Sequence, residues 1–529
     1  MALRDRFRGL TLADSLALRV NEDPQRPFVA FEDRRLTYAQ VDAQADALAA
    51  ALHELGIEAG DRIALTLPNW PEFVVSAFAA AKLGAVIVPL NPRFTSPELQ
   101  YMLRHSESVA VVTAENWEGT DYLARFEQFL GVLPDLQYVL SVGEEDLWYD
   151  DRIHQFEDLV SSGEGRSYPR WEGSADEPFA ILYTSGTMGK PKGVQLTHEN
   201  LMANAALSAD ALGLRADDVV FGVNTLFNAF GIGTGVLGTM VAGASLVLHE
   251  GYDAPEVLRI VERERVTVFH GVPTNFILAL NAEGAVPDGQ LRTGVVAGAP
   301  VPEELVQRIQ RELVPGIRVG YGMTETGNLV SVNTPQDPPG KQVATVGRPL
   351  PEVEVRVIDV DGSVLPVESV GEVAVRGPGV MRGYYRQPGE TAQVFTADGF
   401  FLTGDLGMVD EEGFLHLIGR RKEMIIRGGF NVYPREVEDR LHAHPAVLDV
   451  AVVGLPDEIL GEVACACIVP VEGAIVTGGE IRDFCREVLA DYKVPDLVRF
   501  LDSFPLTGSG KVRRVELARI ISAEESSRR

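Results

Sequence analysis

Alternation of apolar strands with one-sided helices over residues 37–113 restricts the fold more than any other feature of the chain. Thr37 is placed to cap a helix carrying Val41, Ala45, Leu48, Leu52 and Leu55 on one face, closed by Gly56. Residues 63–67 read as a strand, 71–83 as a helix, and 85–88 as a strand apolar on both faces. Ser96-Pro97 starts a further helix, where proline's missing N–H has no helical partner to lose, and 110–113 is again a strand. Strand–helix–strand order with fully apolar strands implies parallel sheets covered on both faces, a doubly wound α/β arrangement. At 529 residues the chain exceeds the roughly 250–300 that one core can serve, so two or three domains are expected.

Residues 350–418 change character. Positions 353–358 alternate, Asp361-Gly362 makes a turn, and 372–375 is another short strand, as in a small barrel or sheet. From about 432 the α/β rhythm returns, with a helix started by Pro434, an apolar run at 448–453 and a helix near 478–490. A boundary near 420 follows, giving a large N-terminal domain (1–420) with a β subdomain near 350–418, and a small C-terminal domain (421–529). The chain carries a net charge of −29, of which 421–529, with 15 basic and 18 acidic residues, holds only −3. A small domain that meets polyphosphates would be less acidic in this way. The overall balance argues against neutralising a nucleic-acid backbone.

Three cysteines are too few for a disulfide framework and suggest a reducing compartment. Cys465 and Cys467 would share one face of a strand, and with no matching pair for zinc they read as core residues. Residues 1–10 hold no apolar run, so no signal peptide is expected. The most apolar stretch, 73–90, is broken by Lys82 and Gly84 and reads as a buried helix feeding a buried strand, not as a membrane span. A soluble, cytoplasmic protein is expected.

The segment 183–193, Tyr-Thr-Ser-Gly-Thr-Met-Gly-Lys-Pro-Lys-Gly, leaves the apolar run 179–182 and concentrates hydroxyls, glycines and lysines. Glycines let backbone N–H groups approach phosphate oxygens, hydroxyls donate further bonds, and lysines supply charge. It is not the Walker pattern, which occurs nowhere in the chain. A competing glycine signal, 233–238, fits G-x-G-x-x-G with Glu250 beyond it, but no convincing strand precedes it. Close helix packing is therefore preferred there to a dinucleotide site. Further segments are Gly-Tyr-Gly-Met-Thr-Glu-Thr at 320–326, Thr-Gly-Asp-Leu-Gly at 403–407, Gly-Arg-Arg-Lys-Glu at 419–423 and Leu-Thr-Gly-Ser-Gly-Lys at 506–511.

Each of these alone reads as a turn or a solvated charge cluster. Their order, together with 371–378 and the extension of 419–423 to 438, closely resembles the adenylate-forming superfamily of acyl-CoA synthetases, luciferases and peptide-synthetase adenylation domains. The resemblance spans essentially the whole chain. It implies an enzyme that uses ATP and Mg²⁺ to turn a carboxylic acid into an acyl adenylate, then passes the acyl group to coenzyme A. It further implies that the C-terminal α+β domain is a mobile lid turning about a hinge near 420–423, at Lys422.

By the same resemblance Thr184, Ser185, Gly186, Thr187 and Lys192 hold the β- and γ-phosphates. Glu325, with Thr187, holds Mg²⁺, an ion that takes oxygen ligands, and Thr324 lies near the α-phosphate. Tyr321 stacks on adenine opposite Gly298, Ala299 and Pro300, Asp405 accepts the ribose hydroxyls, and Arg420 reaches the ribose or phosphate side. Lys511 bridges the carboxylate and α-phosphate oxygens. Gly428 and Gly429 border the thiol tunnel, and Phe227, Asn228, Phe230, Gly231, Gly322 and Met323 line the acyl pocket. Asn228 departs from the family, where histidine is frequent, and cannot become charged. The glycines around it suit a roomy pocket and a bulky or long apolar acid. Three alternatives stay open: a single half-reaction, transfer to a carrier protein instead of coenzyme A, and a non-catalytic nucleotide- or acyl-CoA-binding protein.

Overall fold

A computed structural model describes residues 2–144, 150–184, 191–282, 289–428, 430–457, 459–506 and 512–528. The local signals act as the residue types require. Thr37 Oγ1 accepts the Gln40 N–H at 3.2 Å while Gln40 Oε1 accepts the Thr37 N–H at 2.8 Å, so helix Tyr38–Glu54 opens on a reciprocal cap. Helix Pro71–Leu83 begins on its proline and stops at Gly84, whose φ of +72° favours glycine. A Cβ on Gly84 would also sit 2.5 Å from the Trp171 ring. The chain then enters Val86–Pro89, buried along its whole length.

The largest sheet runs Gly383–Tyr384, Lys192–Thr197, Pro178–Thr184, Val86–Pro89, Arg62–Thr66, Ser108–Ala114, Tyr138–Val142, Ile153–Gln155. Neighbours are parallel from Pro178–Thr184 onward, and the first two strands are antiparallel additions at one edge. A second sheet runs Val268–Phe269, Val219–Gly222, Ser245–Leu248, Pro27–Phe31, Arg34–Thr37, parallel except for its terminal hairpin. Helix Pro71–Leu83 packs against strands of both sheets, which is why it is apolar nearly all round. A third sheet, Gly294–Val296, Ile317–Met323, Asn328–Val332 and Arg348–Pro349, joins the second through parallel bridges at Val268–Thr293 and Gly271–Val296.

The change of rhythm after 350 corresponds to an antiparallel sheet of Glu354–Ile358, Gly371–Arg376, Phe401–Val409 and Leu415–Arg420. Beyond it lie Ile425–Arg427, Phe430–Val432, Val447–Asp457, Gly461–Pro470 and Leu497–Phe500, packed by helices Pro434–His442, Gly478–Arg486 and Arg514–Arg528. Helix Gly478–Arg486 ends about a turn short of the expected 490. Val488 beyond it is 68% exposed, and Leu489 packs against the C-terminal core from outside the helix. Among the described residues, the apolar clusters of this region draw only on residue 425 and beyond. The molecule thus has a large N-terminal domain and a small C-terminal one. Cys465 and Cys467 share a face of Gly461–Pro470 and are buried against Leu517 and Ile521. No helix among the described residues is long and apolar enough to cross a membrane.

Candidate active site

The two described ends of the 183–193 segment belong to paired antiparallel strands of one hairpin. Strand Pro178–Thr184 returns as Lys192–Thr197, with Thr184 opposite Lys192 and Tyr183 opposite Gly193. Ser185, Gly186 and Thr187 lie outside the described residues. The hairpin is held from behind: the Tyr183 hydroxyl is 2.7 Å from His105 Nδ1 and donates to Met102 O at 3.2 Å. On its outer side, Gly383–Tyr384 adds as an edge strand, and Tyr385 N–H donates to Gly193 O at 2.7 Å.

That edge strand connects the hairpin to the 320–326 segment. Lys192 pairs with Glu390, and its ammonium lies 4.8 Å from the Tyr384 ring centroid. The Tyr384 hydroxyl donates to Glu325 Oε1 at 3.1 Å. Glu325 sits in the short turn Thr324–Thr326 that follows strand Ile317–Met323. Burial holds its carboxyl above the usual range, opposed by the Tyr384 bond and the Arg420 charge. Among the described residues the Tyr384 hydroxyl is the side chain that donates to this partly buried carboxylate, whose charge would suit a hard dication.

Tyr321 is buried and donates its hydroxyl to Asp405 Oδ2 at 2.6 Å. Asp405 stands directly across from Arg420 on the neighbouring strand, and Arg420 Nε lies 2.9 Å from Asp405 Oδ1. Asp405, the largest influence on Arg420, reinforces its positive charge. Burial, then Asp405, pushes the Tyr321 phenol well above its ordinary value. The Thr403 hydroxyl accepts the Asp405 N–H at 3.1 Å, and Gly404, at φ +73°, turns its own N–H to Glu372 Oε1 at 3.1 Å. Gly298, Ala299 and Pro300 are exposed and follow strand Gly294–Val296, which is parallel to Ile317–Met323. These two carboxyl-terminal strand ends therefore open on one side, the usual place for a ligand crevice in α/β sheets.

The glycine-rich segment after Val219–Gly222 forms a π-helix, Gly231–Leu237, continuing as Gly238–Ala242. Its glycines serve packing: a Cβ on Gly231 would lie 2.2 Å from Thr225 O, and one on Gly233 3.4 Å from Asn328 Cβ. Asn328 also donates to Thr234 Oγ1 and pairs with Met323. This packs the π-helix that follows 227–230 against the strand pair carrying Gly322 and Met323. The Asn228 amide donates to Thr225 Oγ1 at 2.6 Å. Glu250, which completed the dinucleotide pattern, instead accepts both Trp70 Nε1 at 2.8 Å and Trp117 Nε1 at 3.1 Å.

Asn69 was not legible as a site residue. Nearly buried, it accepts the Leu226 N–H at 2.9 Å and donates toward the carbonyls of Gly222, Asn224 and His249 at 3.1–3.3 Å. It thereby fastens the chain just before Phe227. Tyr384 was missed too, since a tyrosine flanked by Gly383 and Tyr385 between two arginines carries no spacing signal.

In the C-terminal part, Lys422 is exposed in the turn Arg421–Glu423, within electrostatic reach of Glu390. Gly428 adopts φ +56° and donates its N–H to Leu460 O at 2.8 Å. Gly429 and Lys511 lie outside the described residues.

The arrangement is that of a nucleotide-dependent enzyme. Residues 16–385 match the model of the AMP-binding enzyme family, and 436–511 that of the AMP-binding enzyme C-terminal domain. The feruloyl-CoA synthase of Amycolatopsis sp. is 36% identical over 504 residues, 95% of this chain and 97% of that protein. ATP-bound MatB from Rhodopseudomonas palustris superposes with a TM-score of 0.87 at 30% identity, over 96% of this chain and 99% of that one. The anthranilate CoA ligase AuaEII in complex with anthranoyl-AMP gives 0.89 at 28% identity, over 99% and 100%. The chain belongs to the AMP-binding enzyme family, the adenylate-forming superfamily that its motifs resemble. Within it, this protein is an acyl-CoA ligase that uses ATP and coenzyme A.

Proposed function

We propose that the protein activates a bulky or long apolar carboxylic acid, with residues 1–420 holding the substrates and 421–529 acting as a lid that turns at Lys422. In the first half-reaction an acid oxygen attacks the α-phosphorus of ATP and pyrophosphate leaves. In the second, the coenzyme A sulfur attacks the acyl carbonyl and AMP leaves.

Two anions must meet in the first step, so cations and oriented donors should dominate. Thr184, Ser185, Gly186, Thr187 and Lys192 serve the β- and γ-phosphates, and Lys192 exchanges Glu390 for phosphate when ATP binds. Thr324 serves the α-phosphate. Glu325 and Thr187 would hold Mg²⁺, which supplies charge neutralisation at the phosphates. The adenine lies between Tyr321 and 298–300. Asp405 keeps unused lone pairs for the ribose hydroxyls while Tyr321 and Arg420 fix its orientation. Lys511 bridges acid and α-phosphate, and Gly428 and Gly429 leave room for the thiol arm.

The observation that carries this reading is the hydrogen-bonded convergence of separate motifs, Tyr321 on Asp405 at 2.6 Å and Tyr384 on Glu325 at 3.1 Å beside Lys192. The acid class is supported by the lining. Phe227, Phe230, Gly231, Gly322 and Met323 carry no charge, and the Asn228 amide is engaged by Thr225. A cytoplasmic location is supported by a chain with only three cysteines, all of them buried.

The test is one panel (acetate, octanoate, palmitate, benzoate, cinnamate and succinate) followed in two arms. One arm measures pyrophosphate release with ATP and Mg²⁺. The other supplies acyl adenylates with coenzyme A and measures thioester by mass spectrometry. Turnover of apolar acids in both arms is expected. A preference for acetate or succinate would sink the acid class, and silence in either arm would sink the two-step reading.

A further inference from the structure

Arg514 stands three residues beyond Lys511, and its side chain joins three parts of the lid. The guanidinium forks onto Glu438, Nη1 to Oε1 at 2.5 Å and Nη2 to Oε2 at 3.0 Å. Nη1 also donates to Val452 O at 2.9 Å, and Nε lies 3.3 Å from Glu423 Oε2. Glu438 belongs to helix Pro434–His442, Val452 to strand Val447–Asp457, and Glu423 to the turn Arg421–Glu423.

The chain on either side of 507–511 is tied together immediately before this anchor. Leu506 and Val512 form an antiparallel bridge, and Arg513 N–H donates to Pro505 O at 2.8 Å. The described residues flanking 507–511 are therefore joined to one another, and Arg514, next along the chain, is fastened to the hinge turn. Across that turn the charges alternate. Asp405 holds Arg420 at 2.9 Å, while Arg420 and Arg514 both offset the burial of the Glu423 carboxylate.

We propose that Arg514 is a positioning residue for adenylation: through Glu423 it fixes the chain next to Lys511 to the hinge turn, which Arg420 and Asp405 adjoin. The proposal rests on the reading that Lys511 serves the first half-reaction. A lysine in place of Arg514 keeps the charge but cannot fork onto Glu438 and reach Glu423 together. Glutamine at 423 keeps shape and removes only the charge, at a side chain 30% exposed, so the fold should tolerate it.

The experiment compares R514K, E423Q and K511A in both half-reactions, with octanoic or cinnamic acid and the matching adenylate, whichever the wild type turns over. K511A should abolish pyrophosphate release and spare thioester formation. R514K should slow pyrophosphate release about 100-fold, the scale of a misplacement near 1 Å, and thioester formation less than about threefold. E423Q should shift the ratio of the two rates the same way by about tenfold, as expected for loss of one partly buried charge contact. Equal losses in both half-reactions, or a wild-type ratio in E423Q, would mean that Arg514 only holds the lid together. E423Q alone decides if R514K is recovered unfolded. Pyrophosphate release by K511A overturns the assignment of Lys511 and with it this proposal. An inactive K511A with unshifted ratios overturns this proposal alone.

Discussion

Asn69→Ala should weaken the protein and its grip on the acid while sparing ATP. The amide accepts one N–H, that of Leu226, at 2.9 Å, and its two hydrogens are shared among three carbonyls at 3.1–3.3 Å. Leu226 is 1% exposed, so without Asn69 its N–H is left dry, which costs about 1–3 kcal/mol. Gly222 is buried as well, whereas Asn224 and His249 are partly exposed and can turn to water. One orphaned donor and one partly orphaned acceptor give a total of about 2–4 kcal/mol. Because the freed segment leads directly into Phe227–Gly231, the KM for the acid should rise about tenfold or more, while the KM for ATP stays within about twofold. Urea unfolding and steady-state kinetics on the wild type, N69A and N69D check this. N69D keeps the acceptor and loses the donors, so it should fall between the other two in stability. A loss below about 0.5 kcal/mol with an unchanged acid KM would refute the reasoning, because surface-like behaviour would mean water replaces the amide.

Two further outcomes are expected. Gly322→Ala places a Cβ 1.7 Å from Asn328 O, a backbone atom that cannot swing aside, so the pairing of Ile317–Met323 with Asn328–Val332 must open. It should cost about 3 kcal/mol and most of the adenylation rate, and a variant with wild-type Tm and pyrophosphate release would contradict it. His270 is fully buried and held at about 3, and His198 at about 4, chiefly by burial. Both are neutral in the folded protein, so the unfolded chain binds more protons below about 6.5. Their stabilisation is therefore complete above that value and is lost as pH falls toward 4 and then 3, by up to about 1.4 kcal/mol per pH unit each. Urea midpoints at about pH 7.5 and about pH 5 should drop less in H270Q than in wild type, and an equal drop would disprove the assignment.

Much of this molecule is written locally. The Thr37–Gln40 cap, Pro71 at its helix start, Gly84 at its end and the apolar strand after it are each specified within a few residues, because N–H satisfaction and backbone rotation are short-range. Order and composition of the motif segments were legible too, and so was the shift to short strands after 350, though not their antiparallel pairing. What the sequence did not show is which distant groups would meet. Tyr321 and Asp405 are 84 positions apart, and Glu325 and Tyr384 are 59 apart. That Lys192–Thr197 would pair back onto Pro178–Thr184 depended on its finding both that partner and an edge strand. Gly233–Gly238 had the spacing of a phosphate loop, yet Asn328 packing against it, and two tryptophans on Glu250, gave those residues other work. Such pairings follow from strand order and from the polar groups that burial leaves needing a partner, and both are settled only when the sheets assemble.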